Sequence, residues 1–159
     1  MQTTTTVGSP IGDLVLVNTD GVLSGLRMDD GETDASRKGD PRGFERVVDE
    51  LAEYFRGERS EFTVDIAPRG TAFQREVWGQ LLRIPYGETR SYGEIARALG
   101  DPSRAREVGW ANARNPIAII VPCHRVIGAD GSLTGYAGGL DRKRRLLDLE
   151  AGRGTLFVA

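Results

Sequence analysis

The chain has 159 residues, a length that suits one domain or two small ones. With 39% hydrophobic and 28% charged residues it should fold rather than stay disordered, no apolar run approaches the roughly 20 residues needed to span a bilayer, and the Met1–Thr6 segment lacks the basic and apolar regions of a signal peptide. The net charge of −2 conceals an asymmetry: residues 1–67 carry 7 basic and 14 acidic side chains, residues 68–159 carry 14 basic and 9 acidic. A basic half inside a near-neutral total can hide a nucleic-acid surface; the bland alternative is an arginine-rich composition with no such role, since 19 of the 21 basic residues are Arg. One cysteine, Cys123, and one histidine, His124, exclude an intramolecular disulfide framework and a Cys/His zinc site of four ligands.

Taken in chain order, the first third reads as a small antiparallel sheet. Asp20-Gly21 between apolar runs predicts a hairpin pairing 13–18 with 22–28. Residues 29–42 are polar and read as a surface loop. Phe44, Val47, Val48, Leu51, Tyr54 and Phe55 then follow helical spacing, with Gly57 placed to cap the helix, and Phe62, Val64 and Ile66 alternate like one more strand. Ala67-Pro68-Arg69-Gly70 is the candidate linker between an N-terminal α/β domain, 1–67, and a C-terminal domain, 68–159.

The second half carries helix signals. Thr71-x-x-Gln74 and Ser91-x-x-Glu94 are capping-box patterns, and Asp101-Pro102 supplies a cap and a first-turn proline for a helix over roughly 103–113. The second and third of these helices, separated by a Gly-Asp-Pro turn, form a helix-turn-helix pattern whose second helix carries Arg104, Arg106 and Arg114; helix pairs are also common in α-rich domains without any DNA. Leu140, Leu146, Leu147 and Leu149 mark a last helix over 140–150.

Ile117–Val121 is the most apolar run and delivers Pro122-Cys123-His124-Arg125. A lone cysteine is usually a small buried hydrophobe, yet the only thiol lies beside the only imidazole, a pairing that can generate the reactive thiolate. Adjacent side chains on a straight strand point to opposite faces, so this reading requires a bend at Cys123. Glu150 is the candidate carboxylate to orient the imidazole, against the simpler reading of a solvated helix end. Asp130-Gly131 predicts a hairpin turn, and Gly135–Gly139 a loop suited to closing over a small planar ligand rather than a phosphate cradle.

Val121-Pro122-Cys123-His124-Arg125-Val126-Ile127-Gly128 resembles the active-site signature of the O6-alkylguanine-DNA alkyltransferases. The resemblance extends through Phe73-Gln74-x-x-Val77-Trp78, Ile84-Pro85-Tyr86-Gly87-Glu88-Thr89, Ser91–Ala96, Ala111-Asn112-x-x-Asn115-Pro116 and Leu133-x-Gly135-Tyr136-x-Gly138-Gly139, and more loosely through Ser9-Pro10-Ile11-Gly12. It implies an α+β protein: a small N-terminal antiparallel sheet with a helix, then a mainly helical, winged-helix-like C-terminal domain that binds DNA and accepts the alkyl group. It implies single-turnover transfer of an alkyl group from O6 of guanine to Cys123, with His124 taking the thiol proton through a water and Glu150 completing the relay. Asn115 would hold the turn presenting the cysteine, and Tyr92 would protonate the leaving guanine. The target atom lies inside a base pair, so the nucleotide must leave the stack. Arg106 matches the arginine that fills the vacated space, on a minor-groove surface comprising Ser103, Arg104, Ala105, Arg106, Gly109 and Arg114. Tyr136, Ala137 and Gly138 match the pocket for the extruded base, while Val126 and Trp78 read as core.

The implied partner is double-stranded DNA containing O6-alkylguanine, with cooperative self-contacts on DNA allowed. The resemblance implies no cofactor, metal or membrane, and a cytoplasmic, bacterial setting. Glu107 and Trp110 depart from the pattern, standing where relatives usually carry alanine and a smaller residue. The front half also lacks the Cys/His set that gives some relatives a zinc. Alternatives from the residues alone are a helix-turn-helix regulator with a sensor cysteine and a Cys-His-Glu hydrolase; the related alkyltransferase-like proteins lack the cysteine present here.

Overall fold

The computed structural model describes residues 1–29 and 39–152, so most of the polar 29–42 loop and the last seven residues lie outside the described residues. Three strands, β1 (Gln2–Val7), β2 (Leu14–Thr19) and β3 (Val22–Met28), form an antiparallel sheet in the order β1-β2-β3. The β2–β3 hairpin turns through Asp20 and Gly21, both at positive φ (51° and 85°), which is what an Asp-Gly turn provides. β1 is a strand that the sequence reading missed: its run of threonines has no apolar alternation, yet β-branched residues suit an edge strand, and Thr5 is buried.

Helix α1 (Glu45–Phe55) packs Val47, Leu51, Tyr54 and Phe55 inward and ends at Gly57, at φ 74°. The segment with Phe62, Val64 and Ile66 is not a strand; it makes a single bridge, Leu23 to Ile66. The reason lies in Glu50 of α1, whose buried carboxylate takes the backbone N–H groups of Thr63 (2.8 Å) and Val64 (3.3 Å), so these amides have no need of a neighbouring strand.

The second half is mainly helical: α2 (Ala72–Leu81), α3 (Tyr92–Ala98), α4 (Ala105–Ala113) and α5 (Leu140–Glu150). Both predicted capping boxes are present, at Thr71/Gln74 and Ser91/Glu94. The helix predicted from 103 begins instead as a 3-10 turn over Pro102–Arg104, capped by Asp101, and becomes α-helical at Ala105. β4 (Arg90–Ser91) and β5 (Val126–Ile127) form a short parallel pair, so Asp130-Gly131 makes a turn but no hairpin.

One apolar core runs through both halves, from Leu14, Leu16 and Leu26 through Phe44 and Tyr54 to Trp78, Ile117, Val121 and Leu146. Leu26 bonds across the halves to Pro116 and Ala118, and Gly70 lies so close to Gln74 and the Trp78 ring that a Cβ there would meet Gln74 Oε1 at 2.6 Å. Trp78 is core, as expected, and its indole N–H donates to the Ala111 carbonyl (2.9 Å), tying α2 to α4. The helix-turn-helix is therefore braced from behind while its outer face stays open.

Candidate active site and DNA-facing surface

The apolar run 117–121 is buried, but as a series of tight turns rather than a strand. Ile120 N–H reaches back to Ala118 (2.8 Å) around Ile119 at φ 72°, and Cys123 N–H reaches Val121 (2.8 Å) around Pro122 at φ −82°, ψ 65°. These are γ-turn geometries; the one at Pro122 is relaxed, whereas a β-branched residue at positive φ is strained. Asn115 fastens the turns, its amide donating to the Val121 carbonyl (2.7 Å) and its Oδ1 accepting from Ile117 N–H (3.0 Å). Asn112 adds a bond to the Cys123 carbonyl (3.3 Å). The required bend follows: Cys123–Arg125 is a 3-10 turn, with all three side chains buried.

The bend does not join thiol and imidazole directly. Instead His124, fully buried, donates from Nε2 to Oε2 of Glu150 (2.7 Å). Glu150 is not a solvated helix end. Arg125 grips it with Nε on Oε1 (2.7 Å) and Nη2 on Oε2 (3.1 Å), and the Tyr54 hydroxyl donates to Oε2 (2.5 Å). With its charge paired and hydrogen-bonded, Glu150 stays ionised, its pKa lowered to about 2 even against its own burial. Burial holds His124 below its ordinary value, against the raising influence of Glu150. The cluster is thus one anion and one cation with a neutral imidazole. An ionised carboxylate only accepts, so the neutral ring carries its proton on Nε2 and leaves Nδ1 as the basic nitrogen. Nδ1 is buried and has no hydrogen-bond partner among the described residues.

Cys123 opens onto a cavity of about 90 Å³ lined by Met28, Asn115, Gly135, Tyr136, Ala137 and Gly138, among others. Burial raises the thiol pKa; hydrogen bonding from Asn115, the charge of Lys143 and hydrogen bonding from Tyr136 oppose it. Lys143 is fully buried, its ammonium donating to the carbonyls of Val126 (2.5 Å) and Thr134 (2.8 Å), and burial lowers its pKa to about 8. Tyr92 donates to the same Thr134 carbonyl (3.1 Å), so the start of the pocket loop is fixed from two sides. A larger cavity, about 520 Å³, lies between the β1–β2 connection and α1; among the described residues its only charged lining residue is Arg56, so chemistry and volume point to different places.

Sequence reasoning missed four residues of this site: Tyr54, Arg125, Asn112 and Lys143. Lys143 had a readable signal, since it falls at helical spacing from Leu146 and Glu150 on the buried stripe of α5. Tyr54 had none beyond its place in an apolar stripe.

On the outer face of α4 the arginines differ. Arg104 stacks on Phe73 (3.8 Å from the ring centre), and Arg114 donates to the Trp110 carbonyl (3.1 Å). The Arg106 side chain is exposed and, among the described residues, makes no hydrogen bond, ion pair or ring contact. Trp110, 58% exposed, lies one turn along on the same face. Ser103 is exposed, Ala105 is half-buried, and Gly109 sits beside the Tyr92 ring. Glu107 is half-buried, its Oε2 buried without a partner among the described residues.

The family model described as the DNA binding domain of 6-O-methylguanine DNA methyltransferase matches residues 72–152, and that described as its ribonuclease-like domain matches 3–68. The chain belongs to this family. It is 59% identical over 148 residues to the methylated-DNA–protein-cysteine methyltransferase of Mycolicibacterium paratuberculosis, covering 91% of this chain and 90% of the relative. The Mycobacterium tuberculosis protein of the same name is 58% identical over 159 residues, 96% of each chain. A crystal structure of Mycobacterium tuberculosis O6-methylguanine methyltransferase superposes with a TM-score of 0.88 at 56% identity, covering 97% of this chain and 95% of that one. A second, of Mycobacterium tuberculosis OGT in complex with DNA, gives 0.87 at 57% identity, covering 94% and 93%. These neighbours agree with the α+β architecture described above. No described helix is long and apolar enough to cross a membrane.

Proposed function

We propose that this protein repairs alkylated DNA directly, moving the alkyl group from O6 of guanine to Sγ of Cys123 in a single turnover. The observation that carries the reading is a buried thiol at the wall of a small cavity, next in sequence to an imidazole whose outer nitrogen is held by a buried, ionised carboxylate. In this reading Nδ1 of His124 receives the thiol proton through a water, and Glu150 steadies the imidazolium. The thiolate attacks the alkyl carbon, the bond from carbon to O6 breaks, and guanine leaves after taking a proton from Tyr92. The thioether is not easily reversed, so each molecule acts once. Asn115 keeps the turn in which the cysteine is presented.

The DNA surface is assigned to the 3-10 turn, the outer face of α4 and the residue that ends it: Ser103, Arg104, Ala105, Arg106, Gly109 and Arg114, with Arg106 entering the stack as the base leaves it. Tyr136, Ala137 and Gly138 line the base pocket. A volume of about 90 Å³ corresponds to a few waters, so a flipped base requires the 135–139 loop to move outward. The split at 67/68 is read as a division of labour, with DNA contact confined to the basic second half. A reactive free thiol suits a reducing compartment, and cytoplasmic work is part of the reading.

Intact-mass measurement tests it. Incubation with a duplex containing O6-methylguanine should add one methyl per protein molecule, and Cys123→Ser should add none. No adduct at excess lesion would overturn the reading in favour of a regulator, and turnover of an ester or amide would favour a hydrolase.

A further inference from the structure

Tyr54 belongs to α1, in the acidic first half, and is 96 residues away in sequence from the carboxylate it touches. Its ring is fully buried among Phe55, Phe62 and Tyr86, with edge-on contacts at 5.3 Å to Phe55 and 6.3 Å to Tyr86. Packing alone would be met by phenylalanine. The hydroxyl is what reaches Oε2 of Glu150, the oxygen that also receives His124 Nε2. We propose that Tyr54 is a positioning residue of the proton relay: its hydrogen bond to Oε2 of Glu150 sets how strongly that oxygen holds the Nε2–H of His124, and so how strong a base Nδ1 is. This rests on the alkyl-transfer reading above and deepens it, because it makes the first half of the chain part of the chemistry.

The donors around Glu150 share a single negative charge. Oε2 accepts from three donors, Tyr54, His124 and Arg125 Nη2, and Oε1 from Arg125 Nε. Each donor to an ionised carboxylate draws on the same electron density, so strengthening one bond weakens the others. Removing the hydroxyl concentrates the charge of Oε2 on the imidazole N–H and stabilises the imidazolium. Tyr54 is always the donor here, since burial and the Glu150 charge hold its phenol protonated well above the ordinary tyrosine range. The other groups around the pair are Tyr86 from the 84–86 segment, Arg125 and Cys123 from the turn, Tyr136 from the pocket loop and Lys143 from α5; a change at Tyr54 removes none of these groups, and Arg125, which shares Oε2, takes up part of the freed charge.

The chain has a single histidine and a single cysteine, so both ends of the relay are read without ambiguity. In Tyr54→Phe the NMR titration midpoint of the His124 imidazole should rise by roughly 0.5–1 unit. The acidic limb of the single-turnover methyl-transfer rate should move up with it, the loss falling on the acidic side and amounting to about 3–10-fold there. Replacing Tyr54 with 3-fluorotyrosine, a stronger donor of nearly the same shape, should move both in the opposite direction, and serves if the phenylalanine variant does not fold. Titration and rate profiles that stay at wild-type values in either variant, whatever the melting temperature does, would overturn the proposal. If wild-type protein takes up no methyl while the imidazole midpoint still shifts, the alkyl-transfer reading fails and the coupling of Tyr54 to His124 stands.

Discussion

At the scale of single residues, the thiol is governed by groups that are invisible in its own motif. Burial pushes Cys123 toward the unreactive thiol, and the full charge opposing this among the described residues is Lys143, held in place by two backbone carbonyls. Lys143→Met should therefore raise the pH midpoint for alkylation of the sole cysteine by iodoacetamide and slow the reaction at neutral pH several-fold. An unchanged midpoint would remove Lys143 from the electrostatics of the site. Glu150 shows the same dependence on surroundings. A carboxylate at a helix C-terminus is mildly disfavoured, but here two donors of Arg125, one of His124 and one of Tyr54 make the ionised form the stable one.

At the scale of elements, α4 and the pocket loop separate two steps that a rate alone would merge. Arg106 projects from α4 with no partner among the described residues, while Arg104 is held by Phe73 and Arg114 by its own helix. Arg106→Ala should slow methyl uptake from duplex DNA by at least tenfold and hardly affect reaction with free O6-methylguanine base; equal losses on both substrates would refute a role in base extrusion. Gly138 tests the loop. A Cβ there would lie 2.6 Å from Met28 Sδ and 2.8 Å from Tyr136 Cε2, so Gly138→Ala should displace the Tyr136 ring. The expected result is slower uptake from both duplex and free base, with duplex affinity unchanged by mobility shift. Trp110 shares the face of Arg106 and points to solvent, not to the core.

These elements also show what was legible. Both capping boxes, the Asp-Gly turn and the Gly57 cap were readable because each signal lies within a few residues of the structure it produces. The extra strand at 62–66 was misread because its alternation is real, but its amides are taken by the side chain of Glu50 from another element. β1 was missed for the converse reason, since its pairing comes from β2 and not from a pattern of its own.

At the scale of the whole molecule, the buried cluster makes acid the vulnerable side. Glu150 has a folded pKa of about 2 against an ordinary 4.5, so its contribution is complete above about pH 4.5 and is lost as pH falls toward 2. A shift of that size on a buried group corresponds to about 3 kcal/mol. His124, lowered in the folded state, adds a loss of the same sign that begins below its ordinary value. Urea unfolding at pH 7 and pH 3 should show a large fall in stability for the wild type. For Glu150→Gln the fall should be smaller, on top of a lower starting stability from leaving Arg125 unpaired. An identical pH-dependent fall in both proteins would contradict this.

The sequence by itself determined the family signature, the order and capping of the helices, the charge division at residue 68 and the identity of the nucleophile candidate, because all of these are local or compositional. Only the tertiary structure decided that thiol and imidazole do not bond directly, that Glu150 is buried, and that Tyr54 from the acidic half reaches into the site. Those facts depend on which distant segments share one core, and residues 96 positions apart leave no trace of their contact in the local pattern.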